Sequence, residues 1–144
     1  MKYLLLLAVP LGMLLLAADA PAVTILETPV GASVDDAEED AATGSVTLAD
    51  ADLELVQDGS ATQWVGLRFP GQAIPADATI VDAWIQFEAS ATSSAATSLS
   101  FRADRSQDSP LFTPAPADLS SRPLTGGAVA WAPPAWTLGE AGAD

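Results

Sequence analysis

Apolar residues in this chain recur mostly at intervals of two. Val65-Gly66-Leu67-Arg68-Phe69 alternates apolar with other residues, and so do Ala83-Trp84-Ile85-Gln86-Phe87-Glu88 and Leu99-Ser100-Phe101-Arg102-Ala103-Asp104. That period belongs to an extended strand, whose successive side chains point to opposite faces of a sheet. It predicts one buried face carrying Val65, Leu67 and Phe69, then Ala83, Ile85 and Phe87, then Leu99, Phe101 and Ala103. Shorter strand candidates are residues 23–26, 46–48, 53–56 and 128–131. The separators have turn chemistry: Asp58-Gly59-Ser60, Pro70-Gly71, Pro75-Ala76-Asp77 and a Ser/Ala/Thr stretch over 89–98. Several short strands divided in this way predict an all-β fold, an antiparallel β-sandwich. Residues 108–125, rich in Pro and Ser, read as a long surface loop. Two Ala-rich pieces, 37–42 and 89–96, are too short to form stable helices alone.

The N-terminus breaks the pattern. Lys2 precedes an apolar run over residues 4–18, and small residues follow at Ala18, Ala20 and Ala22. This order is that of a secretory signal, and the run is shorter than the roughly 20 residues of a membrane-spanning helix. Residues 1–22 are therefore expected to be a signal peptide, with cleavage before Val23 and, as second choice, before Pro21. An uncleaved anchor is the plainer alternative. With no cysteine to acylate, a lipoprotein is excluded. The expected product is a secreted, extracellular domain over residues 23–144.

Composition then removes most chemistry from that domain. It has no Lys, His, Cys, Tyr, Met or Asn, and its cations are Arg68, Arg102, Arg105 and Arg122. The formal net charge is −14. Such a surface repels nucleic acid and anionic membranes and suits cations or a salty medium. No disulfide or thiolate site is possible. Without His, Cys, Lys or Tyr the usual general bases, nucleophiles and acids are missing, and a carboxylate pair of the glycosidase kind is the one familiar catalytic route left. Its carboxylates fall mostly in predicted loops, so the domain is read as non-catalytic.

Residues 74–87, Ile-Pro-Ala-Asp-Ala-Thr-Ile-Val-Asp-Ala-Trp-Ile-Gln-Phe, resemble the I-P-x-G-A-T-I-x-x-A-x-[IL]-x-[FL] core of DNRLRE-type β-sandwich modules of secreted bacterial proteins. Val65-Gly66-Leu67-Arg68-Phe69 looks like their x-x-L-[LR]-F strand, and Val129-Ala130-Trp131 like their later V-x-W. Ser33-Val34-Asp35-Asp36-Ala37-Glu38-Glu39 is similar to the acidic opening of a subset of them. Together these cover residues 33–136. The resemblance implies a jelly-roll-like sandwich, and, since some relatives bind polysaccharide, a carbohydrate ligand. Asp77 stands where the family usually has Gly. The family's further strands after V-x-W are also missing before Asp144, so the module is expected to be truncated with an exposed edge.

Two constellations are candidates for binding. The acidic run Asp35-Asp36-Ala37-Glu38-Glu39-Asp40 can supply the oxygens that calcium prefers, joined by Asp58 and by Asp50 and Asp52 if their loops meet. The residues put forward for calcium are Asp35, Asp36, Glu38, Glu39 and Asp58; the plainer reading is a solvated, self-repelling run. Trp64 and Trp84 have the opposite parity to the predicted buried face and are expected to point outward as a stacking platform for polysaccharide. The plainer reading is burial under a second sheet. Trp131 is expected in the core, and Arg68 and Arg102 as partners of neighbouring acids. The expected function is carbohydrate binding at the cell exterior; the alternative is a structural or adhesive spacer with no small ligand.

Overall fold

The longest paired strands are β1, Asp36–Asp40, and β4, Ala61–Leu67, and they lie antiparallel at the centre of a sheet ordered β2-β1-β4-β3. β2 is Val46–Thr47 and β3 is Gln57–Asp58. The computed structural model describes residues 23–142, so the expected signal peptide lies outside the described residues. Two small antiparallel sheets complete the fold: β5 (Phe87–Glu88) with β8 (Ala141–Gly142), and β6 (Leu99–Phe101) with β7 (Val129–Trp131). Among the described residues there is no α-helix, and the fold is all-β.

The acidic run is thus a central strand and not a loop. Asp and Glu are poor strand formers in isolation, but β1 is held on both edges and by what its side chains meet. Its register with β4 sets Ala37 opposite Gly66 and Glu39 opposite Trp64 on one face, with Glu38 opposite Val65 and Asp40 opposite Gln63 on the other. The buried cluster of Ala37, Phe112 and Leu119 lies on the first face, with Val46 and Leu48 packed against it. Gly66 is there for its missing side chain. A Cβ at Gly66 would stand 2.6 Å from Phe112 Cζ and 3.1 Å from Leu119 Cδ2.

This overturns the face predicted from alternation. Val65, Leu67 and Phe69 are half-buried, while the close-packed face carries the small residues that alternation discounts. Residues 108–125 are corrected as well. They form no strand, but they fold back as the cover of the core. Arg122 fastens that cover: its guanidinium lies 4.4 Å over the Phe112 ring, pairs with Asp118 at 2.9 Å and donates to the carbonyls of Pro110 and Leu111. Arg68 ties β4 to both sides, pairing with Asp35 at 2.7 Å and donating to the Ser109 carbonyl at 2.9 Å.

The strand predicted over residues 83–88 finds a partner over Phe87–Glu88 alone, and Ala83 and Ile85, expected inside, are exposed. A strand needs a neighbour to bond to, and residues 79–86 have none among the described residues. Phe87, Phe101, Trp131 and Trp136 instead join the two small sheets by ring contacts, with Phe87 and Trp131 stacked at 5.8 Å. Trp131 is half-buried in this cluster.

Candidate functional site

The second face of the four-stranded sheet collects acids. Strand pairing puts Asp36, Glu38 and Asp40 of β1 and Asp58 of β3 on the same side as Gln63 and Val65. The loop between β2 and β3 brings Asp50 and Glu54 over them. Glu38, Asp50 and Glu54 converge until one carboxylate oxygen of each lies within 4.8 Å of the others. Beside them a cleft of about 210 Å³ is lined by Glu38, Asp40, Thr47, Asp50, Asp58 and Gln63. The described arginines with ion-pair partners, Arg68 and Arg122, spend their charge on Asp35, Asp104 and Asp118, away from this group.

Glu38 is the buried member of the trio, 5 % exposed, while Asp50 and Glu54 are open to solvent. The Glu54 amide donates to Glu38 Oε1. Burial, reinforced by the neighbouring charges of Glu54 and Asp50, pushes the Glu38 carboxyl up to about 7. The loop that carries Glu54 is bent at Val56, which takes a φ of 81°, a strained value for a β-branched residue. Asp40 is differently engaged. The amides of Thr43 and Ala42 donate to its Oδ1 and hold its carboxyl below the usual range.

Of the residues put forward for calcium, Glu38 alone belongs to the convergent trio. Asp35 is buried in its pair with Arg68. Glu39, 1 % exposed, points to the opposite face, where its Oε2 accepts from the amides of Leu119 at 2.8 Å and Ser120 at 3.1 Å. Asp36 and Asp58 share the acidic face, and Asp58 lines the cleft. Asp50 was named from sequence as an acid that would join if its loop met the run, and its loop does meet Glu38; Glu54 was missed. Its signal lay in Leu53-Glu54-Leu55, where an acid alternates with apolar residues in a predicted strand that the structure makes a loop.

Trp64 and Trp84 are 43 % and 54 % exposed. Trp64 stands on β4 beside the cover of the core, and Trp84 on the unpaired segment leading to β5. No protein-family model matches the chain, and no curated protein or solved structure is detectably similar to it.

Proposed function

We propose that this chain is a non-catalytic β-sandwich module of the cell exterior that takes calcium between Glu38, Asp50 and Glu54. The observation that carries the reading is the convergence of three carboxylates within 4.8 Å, one of them buried, on a face that gathers further acids. Carboxylates brought this close repel one another, and a hard dication turns that repulsion into attraction. A metal bound to the folded state alone raises the melting temperature. Calcium at millimolar concentration is therefore expected to raise it in the full chain, and Glu38→Gln with Glu54→Gln to abolish the rise. An equal rise with sodium at matched ionic strength would reduce the effect to screening.

A second reading adds carbohydrate as the ligand, and the exposure of both Trp64 and Trp84 favours it. Exposed indoles are costly in water, and stacking on a sugar removes that area from solvent. The likeness of residues 74–87 to DNRLRE-type modules supports the same sandwich, jelly-roll-like and exported, with polysaccharide or another cell-surface component as partner. Affinity electrophoresis through neutral polysaccharide tests it: retardation should be lost in Trp64→Ala and Trp84→Ala. Unretarded migration of the parent chain would leave the calcium-bearing spacer.

A further inference from the structure

Residues 73–86 are exposed throughout, and within them Ile80, Val81, Trp84 and Ile85 are 60 %, 74 %, 54 % and 45 % exposed. Single apolar residues on a surface are ordinary, but a run of them along one segment marks a contact surface. The segment leads directly into β5, whose ladder to β8 uses one edge. Just beyond β5, Ala89 donates to the Glu140 carbonyl at 2.9 Å and accepts from the Gly139 amide at 2.8 Å. Backbone groups alternate between the two edges of a strand. Those of Ala89 and Phe87 therefore face β8. Carried back along an extended chain, those of Gln86, Trp84 and Asp82 face the open edge. Among the described residues no other backbone group bonds these three amides.

We infer that a second copy of this chain covers the open edge, pairing residues 79–87 antiparallel about a two-fold axis at Ala83. The segment is self-complementary in that register. Val81 of one copy stands opposite Ile85 of the other, and Ala83 opposite Ala83, on the face that Phe87 carries into the ring cluster. On the other face Ile80 meets Gln86, and Asp82 meets Trp84. An axis one residue earlier would set the two Asp82 carboxylates directly opposite each other, which is unfavourable. Residues 79–87 carry one charge, that of Asp82, so two chains of net charge −14 approach there with little local repulsion. The new ladder continues an existing sheet, joining the β5–β8 pair of one copy to that of the other. Two copies joined in this way bury on the order of 1,000 Å², the threshold of a specific interface.

The test is sedimentation velocity of the full chain over a wide range of concentration, at low and high salt. A monomer–dimer equilibrium is expected, and it should tighten with salt, which screens the net charge that opposes it. Ala83→Arg lowers that net charge yet sets two guanidinium groups against each other at the axis. It should weaken association by about tenfold or more. Ala83 is exposed, so the dilute variant should keep the circular dichroism and melting temperature of the parent. The chain has no cysteine, which makes a single introduced thiol a clean reporter of register. Ala83 pairs with itself at a non-hydrogen-bonded position, where Cα atoms lie about 4.5 Å apart, within disulfide reach. Ala83→Cys should therefore cross-link into a covalent dimer under mild oxidation, and Asp82→Cys, opposite Trp84, should do so slowly. A parent that stays monomeric at every concentration and salt overturns the proposal, as does a dimer that Ala83→Arg leaves intact. Faster cross-linking by Asp82→Cys, or growth beyond the dimer, overturns the two-fold pairing at Ala83.

Discussion

Glu38 and Glu39 are consecutive, both almost fully buried, and face opposite sides of the same sheet. Glu39 meets two backbone amides at the start of a helical turn in the covering segment, so its lone pairs are used and its burial is compensated. Glu38 meets one amide and two further carboxylates, so its burial is aggravated by its neighbours. Burial alone does not tell a structural carboxylate from a binding one. The company on the free oxygen does: a donor marks a strut, and another acceptor leaves the charge uncompensated.

The largest expected effect tests the strut. Glu39→Ala strands the Leu119 and Ser120 amides inside the core and should cost about 3 kcal/mol in urea unfolding, given the worth of hydrogen bonds to charged groups. Glu39→Gln, which keeps an acceptor, should cost well under half of that. Similar losses in both would show that the charge itself holds the cover down. Next in size is Gly66→Ala on the same face, where the new methyl meets the Phe112 ring and should cost about 2 kcal/mol as overpacking. If that variant is as stable as the parent, the cover does not rest on β4.

The opposite face should respond to pH. Without calcium, Glu38 has a folded pKa of about 7 against an ordinary 4.5. The folded state therefore holds its proton more tightly than the unfolded chain does. The contribution is complete below the ordinary value and is lost as pH rises through the folded one. Chelator-treated protein should lose stability between pH 4.5 and about 7, and Glu38→Gln should flatten that slope. A slope that survives the substitution belongs to the general excess of negative charge. A smaller effect concerns the loop over Glu38: Val56→Gly relieves a φ of 81° and should raise stability by about 1 kcal/mol. Smallest of all, Trp84→Ala should change stability by less than about 1 kcal/mol, the usual range for an exposed site.

How far the sequence discloses this arrangement depends on which force decides each element. The all-β class, and strands at 65–67, 99–101 and 129–131, follow from alternation and turn residues. The close-packed face does not, because it is built from Ala37, Gly66 and the distant Phe112 and Leu119. Small residues look neutral in a hydropathy pattern, and their value is the approach they allow to a ring contributed from elsewhere in the chain. Asp35–Asp40 reads as a solvated run for a related reason: the amides of Leu119 and Ser120 and the guanidinium of Arg68 that make its burial tolerable are remote in sequence. Glu38 was legible as an acid in an acidic stretch; its convergence with Glu54 depends on a loop path that no local pattern encodes.

The ring cluster of Phe87, Phe101, Trp131 and Trp136 has a consequence for how the molecule opens. No strand pairing connects the four-stranded sheet to either small sheet, and the small sheets meet each other through ring faces. Cooperative opening follows continuous bonding and dense packing, so amides of β5 to β8 should exchange with deuterium through a sub-global event well before those of β1 and β4. The chain would then carry two protection levels in one polypeptide, with the ring cluster setting the lower of them.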